Sequence, residues 1–160
     1  MNGFTRIGFA AIGSLIVASA AMAQGTVPPT PEQKAQAAVL TRQGLFKLQG
    51  LVFGPVGGML RGAPFDAKAA QKAGATLQVL GGMITEVFAT DTHSFTNTPT
   101  KAREGIWTNK SDFDGKANDF VKAAADLEAA AKTGDEAATK KAAGAVGKTC
   151  GACHDQFRDK

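Results

Sequence analysis

The 160-residue chain has only two cysteines, two histidines and one tryptophan, and it has no tyrosine. Two cysteines are too few for a disulfide framework, so packing or a bound group must complete the core. The chain also lacks a strong excess of positive or negative charge, because 18 basic and 14 acidic residues leave a modest net charge of +4. The chain has no Lys/Arg run of the kind that grips nucleic acid, and its 44% apolar share is ordinary. These features argue against a disulfide-rich, disordered or nucleic-acid-binding protein and favour one globular domain.

The first 23 residues have the pattern of a secretory signal peptide. Arg6 provides the positive start, residues 7–20 are apolar, and Ala21-Met22-Ala23 is a small-x-small cleavage pattern. An uncleaved membrane anchor is the alternative, but the apolar run is shorter than the ~20 residues that a spanning helix needs. We therefore predict export after cleavage before Gln24, a mature domain comprising residues 24–160, and no membrane association of the mature form.

Four segments show the 3.6-residue apolar period of amphipathic helices. The first is predicted to run from Pro31 to about Arg61 after the cap Thr30, and the second to reach Phe88 after the cap Asp66. Ser111 is the predicted cap of a third helix that ends before Gly134, and Asp135 that of a fourth helix reaching about Arg158. Pro55 is expected to kink or break the first helix, and residues 89–109 are expected to form a long loop. Since no useful length of chain alternates with period two, we predict an all-α, antiparallel four-helix bundle.

The first helix has a wider apolar face than one core seam requires. Two adjacent heptad stripes run along it, formed by Val39, Phe46, Phe53 and Leu60 and by Ala38, Leu45, Val52 and Met59. The surplus is predicted to bury against a second copy of the chain. Many core positions of the other helices are alanine, which fills little volume, so a large apolar group is expected to complete the core.

One motif carries chemistry, the pentapeptide Cys150-Gly151-Ala152-Cys153-His154 near the C-terminus. Residues i, i+3 and i+4 of a helix share one face, so both thiols and the imidazole point the same way. This C-x-x-C-H spacing is that of covalent haem attachment, in which two thioethers hold the macrocycle and the histidine is an axial iron ligand. We therefore predict one covalently bound haem c per chain.

Two cysteines at this spacing are also compatible with three other kinds of site. A redox dithiol favours the start of a helix in a βαβ unit, whereas this motif is near the end of a helix. A zinc site would have to combine Cys150, Cys153 and His154 with His93, yet adjacent Cys153 and His154 diverge and zinc spacing favours a distant pair. A structural disulfide is the third interpretation, and haem attachment explains the pattern better than any of them.

The chain also resembles the cytochrome c′ branch of the class II cytochromes c over nearly all of its mature length. The matching stretches are residues 41–43, 62–66, 102–107, 132–137 and 146–149 leading into the haem motif, and then Phe157-Arg158. Each is a weak signal alone, but together and in order they are specific. The resemblance implies an all-α periplasmic protein with one haem, which forms a homodimer through its first two helices.

The resemblance also implies roles for individual residues. Arg42 and Gln43 match a pair that meets the haem propionates, although Arg42 can also be an ordinary solvated helix charge. Arg158 matches a basic residue in the proximal pocket beside the axial His154, although it can also be a C-terminal cation that interacts favourably with the helix dipole. Trp107 matches an aromatic residue that packs near the haem, and a plain hydrophobic plug is its alternative role.

By the same resemblance, Phe46 occupies the position that determines whether the iron has a sixth ligand from the protein. Low-spin relatives have a methionine there, whereas cytochromes c′ have an apolar residue that cannot ligate iron. The resemblance therefore implies five-coordinate ferrous iron and a dry distal face that admits nitric oxide or carbon monoxide. Met59, Met83 and His93 are the other candidate ligands, with packing expected for the methionines and solvent exposure for the histidine.

These observations predict a haem protein that is not an enzyme. It carries single electrons between small redox proteins, binds diatomic gases, or does both. Three alternatives stay open: a low-spin, six-coordinate electron-transfer cytochrome of the same family, a peroxidase-like enzyme, and a metal-free or zinc-held bundle. Peroxidase chemistry requires a distal histidine as an acid–base group, and only His93 is available for that role.

Overall fold

A computed structural model describes residues 28–160. The predicted signal peptide and the start of the mature chain lie outside the described residues. Within residues 28–160 the chain forms four long helices and two one-turn helices, and no named β-strand. The six are α1 (Pro31–Leu60), α2 (Ala67–Gly82), α3 (Ile84–Val87), α4 (Gly105–Thr108), α5 (Lys110–Lys132) and α6 (Glu136–Phe157).

The four long helices form a closed bundle in which α1 and α5 each pack against α2 and α6. The contacts between α2 and α5 show that these helices are antiparallel. Gly74 lies against Glu128, whereas Gly81, further along α2, lies against Phe120, which comes earlier in α5. The predicted all-α, antiparallel four-helix bundle is therefore confirmed. No helix among residues 28–160 has the length and apolarity that a membrane span requires.

Three of the four predicted helix caps are confirmed. Thr30 forms a capping box with Gln33, in which each side chain accepts from the other residue's backbone N–H. Asp66 and Asp135 accept from backbone N–H groups three residues further on, each at 2.9 Å. The cap predicted at Ser111 is wrong. The chain enters α5 directly from α4, so Asn109 is the cap residue, and its carbonyl accepts the first helical bond.

Two interior predictions also need correction. Pro55 does not break α1, which continues to Leu60. Proline cannot donate to the carbonyl of Leu51, but this side of the helix is exposed and water can take that carbonyl. The second predicted helix is interrupted at Met83, after two glycines that favour the helix weakly. The loop predicted for residues 89–109 contains the one-turn helix α4.

Candidate cofactor site

A cavity of about 460 Å³ opens between α1 and the C-terminal half of α6. Its wall is made of apolar side chains and cations, and none of the described residues that line it is a carboxylate. The cations are Arg42, Lys47, Lys101 and Arg158, and the apolar residues are Val39, Phe46, Phe88, Ala102, Ile106, Phe113 and Phe157. Gln43, Thr100, Cys153 and His154 complete the lining. An apolar ligand with negatively charged substituents suits such a wall.

The haem motif lies on the last turns of α6, at the edge of this cavity. Cys150 and Cys153 are half-buried and unpaired, so the alternative of a structural disulfide is wrong for this structure. Burial raises the pKa of both thiols, which keeps them protonated near neutral pH. Burial and the charge of Arg158 lower the pKa of His154, against a smaller opposing effect of Asp155. His154 is therefore neutral near pH 7, the form in which an imidazole ligates iron.

Arg42 is buried, with 3% of its surface exposed, so the alternative of a solvated helix charge is wrong. Its guanidinium donates to the carbonyl of Val87 from Nε (2.8 Å), to the carbonyl of Thr90 from Nη2 and to Oγ1 of Thr92 from Nη1 (2.7 Å). Burial lowers the pKa of Arg42, although the nearby Asp91 raises it in part. Arg42 lines the cavity and at the same time fixes the segment that follows α3.

An aromatic cluster closes the cavity on the side of α1 and α5. Phe88 is at its centre, with ring centroids 6.1 Å from Phe46, 6.3 Å from Trp107 and 5.0 Å from Phe113. Phe46 is 38% exposed and lines the cavity. Trp107 does not line it, because its ring lies behind Phe88 and its Nε1 donates to the Phe88 carbonyl at 2.8 Å. Trp107 therefore supports the wall indirectly, and the guanidinium carbon of Arg42 lies 5.3 Å from its ring centroid.

The other candidate iron ligands lie elsewhere. His93 lines a neighbouring cavity of about 450 Å³, where its Nδ1 contacts Asp91 Oδ1 at 2.8 Å and its Nε2 lies 3.8 Å from Glu104. The hydrogen bond with Asp91 is the main cause of a raised pKa for His93. Met59 is buried in the core and Met83 is 44% exposed, and neither lines the cavity at α6. Among residues 28–160, no three His, Cys, Asp or Glu side chains gather as a metal-ligand cluster, so the alternative zinc set is not assembled.

Arg158 follows the last residue of α6 and lines the cavity next to His154. Its backbone is extended, with φ −128° and ψ 133°, and it forms an antiparallel bridge with Ala102. Gln43, one residue after the buried Arg42, is exposed and also lines the cavity. The structure therefore brings Gln43 and Arg158 together at one cavity from opposite ends of the chain.

Sequence reasoning missed several residues of this site. Lys47 and Lys101 add charge to the cavity wall, and Thr92 holds the Arg42 guanidinium. The spacing Ala35, Val39, Arg42, with steps of four and three residues, signals that Arg42 lies on a buried stripe. No comparable signal exists for Lys101 or Thr92, because both lie in the irregular segment between α3 and α4.

The residues present fit a covalently attached haem. Two unpaired thiols and one neutral imidazole lie on consecutive turns of α6 beside an apolar cavity. A Cβ built on Gly151, between the thiols, would meet nothing within 4 Å, so the space above the motif is open. Four cations line the cavity without a carboxylate among them, which suits the two propionates of a haem. Fold and site together define a haem-binding helical bundle of the c type.

The family model described as Cytochrome C′ matches residues 36–158, and the chain belongs to this family. It is 37% identical over 129 residues to a cytochrome c′ of Rubrivivax gelatinosus, covering 80% of this chain and 98% of that relative. It is 35% identical over 121 residues to a cytochrome c-554 of Cereibacter sphaeroides, covering 74% and 78%.

Among solved structures, a nitric oxide complex of a cytochrome c prime variant from Alcaligenes xylosoxidans is similar to this chain. The TM-score is 0.70 and the sequence identity 31%, and the match covers 79% of this chain and 97% of that one. Cytochromes c′ carry covalently bound haem c, and this chain has two cysteines near its C-terminus. The predicted cofactor is therefore confirmed as haem c.

Proposed function

We propose that the mature protein is a periplasmic haem protein with five-coordinate ferrous iron, which binds nitric oxide and carbon monoxide and can carry single electrons. The observation that carries this proposal is Phe46, which faces the same cavity as His154. The described lining of that cavity includes no methionine and no histidine other than His154. His154 is thus the one lining imidazole that can hold iron as an axial ligand. Nitric oxide binding is further supported by the similar cytochrome c prime solved as its nitric oxide complex.

When bound, haem supplies an iron that changes its oxidation state by one electron and takes up a small gas as a ligand. Cys150 and Cys153 hold the macrocycle covalently, and His154 offers a neutral imidazole nitrogen to the iron. Phe46 and Phe88 exclude water from the opposite side of the cavity and provide no hydrogen-bond donor. Dioxygen gains from such a donor, whereas nitric oxide and carbon monoxide bind ferrous iron without one.

The cations have two roles in this proposal. Arg42 and Gln43 meet the propionates, with Arg42 already held in place by its three backbone and hydroxyl partners. Arg158 keeps a positive charge beside His154, which favours the reduced, less positive iron. Trp107 acts through Phe88, whose carbonyl accepts its Nε1–H, and so stabilises the wall of the cavity.

The proposed partner is a second copy of the chain. Leu40, Leu48 and Leu51 are 60%, 51% and 73% exposed on α1, and Val79 on α2 is 63% exposed. At 100° per residue the three leucines fall within about 80° of each other on one side of α1. An exposed apolar patch of this kind marks an interaction surface. A homodimer formed through α1 and α2 would cover it, and Leu51→Glu is expected to shift the mass measured by light scattering from dimer to monomer. An unchanged mass would exclude this interface.

Cleavage before Gln24 and export complete the proposal, because covalent haem attachment takes place outside the bacterial cytoplasm. Small redox proteins are the proposed electron partners.

His93 does not favour a peroxidase, since its ring is bound by Asp91 in a neighbouring cavity. Purified protein is therefore expected to lack rapid peroxide-dependent dye oxidation, and such an activity that His93→Ala abolished would contradict this part of the proposal.

Absorption spectra of the oxidised, reduced and carbon monoxide-bound protein test the central claim. We expect a high-spin, five-coordinate ferrous form that takes up carbon monoxide without displacing a protein ligand from the distal side. A six-coordinate, low-spin ferrous spectrum without added ligand would exclude the gas-binding function. Phe46→Met provides a sulfur at this position and is expected to give a low-spin spectrum, whereas the control Phe46→Leu stays high-spin.

A further inference from the structure

The C-terminal end of α6 is completed by a residue from a distant part of the chain. The last four carbonyls of a helix have no partner within that helix. In α6 the first of them, on His154, accepts from the backbone N–H of Arg158 at 3.1 Å. Arg103, which lies before α4, serves the other three. Its Nη1 donates to the carbonyls of Asp155 (3.0 Å) and Gln156 (3.2 Å), and its backbone N–H donates to that of Phe157 (3.1 Å).

Arg103 is itself held from two sides. Its Nε donates to Oδ1 of Asp159 at 2.9 Å, which closes an ion pair on the segment that follows α6. The neighbouring residue Ala102 pairs with Arg158 in an antiparallel bridge, and the backbone N–H of Asp159 donates to the carbonyl of Lys101 at 2.9 Å. Residues 101–103 are therefore fastened along the chain that leaves α6.

The end of α6 to which residues 101–103 bind contains two residues that line the cofactor cavity, His154 and Arg158. His154 is the first of the four residues whose carbonyls are capped, and Arg158 follows the last of them. His154 and Arg103 also line one small cavity of about 210 Å³. Helix ends fray unless their terminal groups find partners, and a guanidinium at the C-terminus is further favoured by the helix dipole. Arg103 thus caps the turn that follows His154 without lining the cofactor cavity itself.

We propose that Arg103 is a positioning residue for the haem iron. By capping the carbonyls of Asp155, Gln156 and Phe157, it holds the last turn of α6 closed and fixes the direction in which His154 meets the iron. This inference rests on the proposed function in one respect, the role of His154 as the axial ligand. The capping itself is a property of the polypeptide and is measured separately.

The test uses the haem-loaded protein and the variant Arg103→Met, which keeps an apolar stem of similar length and removes every side-chain donor. Hydrogen exchange of the Phe157, Arg158 and Asp159 amides is expected to accelerate at least about tenfold, the factor that corresponds to about 1.4 kcal/mol. Resonance Raman spectra of the ferrous protein should show the iron–imidazole stretching band shifted or broadened. A merely structural role for Arg103 would change the exchange rates and leave this band unmoved.

Two further variants act as controls. Arg103→Lys can place its ammonium group near the Asp155 and Gln156 carbonyls, so it should restore most of the protection and the native band. Asp159→Asn removes the charge partner of Arg103 but leaves the carbonyl contacts, so it should resemble the wild type in both measurements. If Asp159→Asn reproduces the effects of Arg103→Met, the ion pair and not the capping is responsible, and the proposal is wrong.

Three other results would overturn the proposal. One is unchanged exchange in Arg103→Met, and another is accelerated exchange with an unmoved band. The third needs no variant and covers the case in which Arg103→Met fails to fold. In the wild-type protein the amides of Arg103 and Asp159 must be protected, and rapid exchange there would show that the segment is not fastened. A wild type without a five-coordinate ferrous spectrum would instead refute the proposed function, and the exchange data would still report on the capping.

Discussion

The α2–α5 side of the bundle and the α1–α6 side are packed in opposite ways. A Cβ built on Gly74 of α2 would lie 2.6 Å from the backbone nitrogen of Glu128, and one built on Gly81 would lie 2.8 Å from the Phe120 ring. Between α1 and α6, in contrast, lies the cavity of about 460 Å³, and a Cβ built on Gly147 of α6 would lie 3.9 Å from Cζ of Phe53 on α1. The polypeptide thus fills one side of its core itself, whereas on the other side it leaves a cavity that suits the cofactor.

The largest expected effect comes from removing the attachment points of that cofactor. The double variant Cys150→Ala/Cys153→Ala should lose all covalently bound haem, because no thioether can form. Its band on a denaturing gel should be colourless and should not stain for haem. In hydrogen exchange, α1 and α6 should lose protection, since their shared cavity is no longer filled, while α2 and α5 stay protected.

Lys148→Ala is a suitable control for this experiment, because Lys148 lies on α6 two residues before the motif and is exposed. It should keep both the colour and the exchange pattern of the wild type. Equal loss of protection in all four long helices of the cysteine variant would mean that the two sides do not differ in their dependence on haem.

A variant of Arg42 tests how much the buried hydrogen bonds of this arginine stabilise the α1–α6 side of the bundle. Arg42→Met leaves the carbonyls of Val87 and Thr90 and the Thr92 hydroxyl without their charged donor. We expect the free energy of unfolding to fall by about 2–4 kcal/mol, as for other buried hydrogen-bond networks. Denaturant unfolding of the haem-loaded protein measures this difference. Arg61→Met, at an exposed arginine just after α1, should change the free energy by less than about 0.5 kcal/mol.

A smaller effect is expected at Gly74, where the close approach of α2 and α5 is tested directly. In Gly74→Ala the new methyl group meets the backbone of α5, so the helices must move apart, and stability should fall by about 1–3 kcal/mol. Gly115→Ala is the matched control, since a Cβ on this exposed glycine of α5 meets nothing within 4 Å. There the higher helix propensity of alanine should raise stability by about 0.5–1 kcal/mol. A fall of similar size in both variants would attribute the effect to the helix itself and not to the close approach.

The same comparison explains which features the sequence predicts. The α2 stripe of Ala70, Ala73 and Leu77 is fully consistent with the buried face of that helix, because a local period of 3.6 residues decides which side faces the core. The haem motif is equally local, since its three functional residues share one helical face. Both depend on neighbours in the sequence and were therefore accessible without a structure.

The cofactor side depends on contacts between distant residues, and there the sequence is less informative. The partner of Arg42, Thr92, is 50 residues away, and Arg103 caps carbonyls more than 50 residues further on. Of the exposed apolar residues of α1, Phe46 and Leu60 belong to a predicted stripe, whereas the patch residues Leu40, Leu48 and Leu51 belong to neither. No local period carries this information, since the segment between α3 and α4 is irregular.

The smallest expected effect is a pH dependence in that irregular segment. The hydrogen bond with Asp91 raises the pKa of His93. Burial alone would raise the pKa of Asp91, but hydrogen bonds and charge from His93, together with the charge of Arg42, lower it overall. A raised histidine pKa adds stability at low pH, which is lost as the pH rises through that raised value. A lowered aspartate pKa adds stability that is lost only when the pH falls below the usual value near 3.8.

The ion pair between His93 and Asp91 is therefore intact between the lowered pKa of Asp91 and the raised pKa of His93. The melting temperature of the wild type should exceed that of His93→Gln at pH 5.5, and this difference should shrink at pH 8.5. Salt should weaken it, because both side chains are about 40% exposed. The α2–α5 side has no comparable histidine, so the protection factors of its amides, which correct for the intrinsic pH dependence of exchange, should not follow this change. A pH-dependent loss of protection at the α2 amides around Gly74 would mean that the two sides of the bundle unfold as one unit.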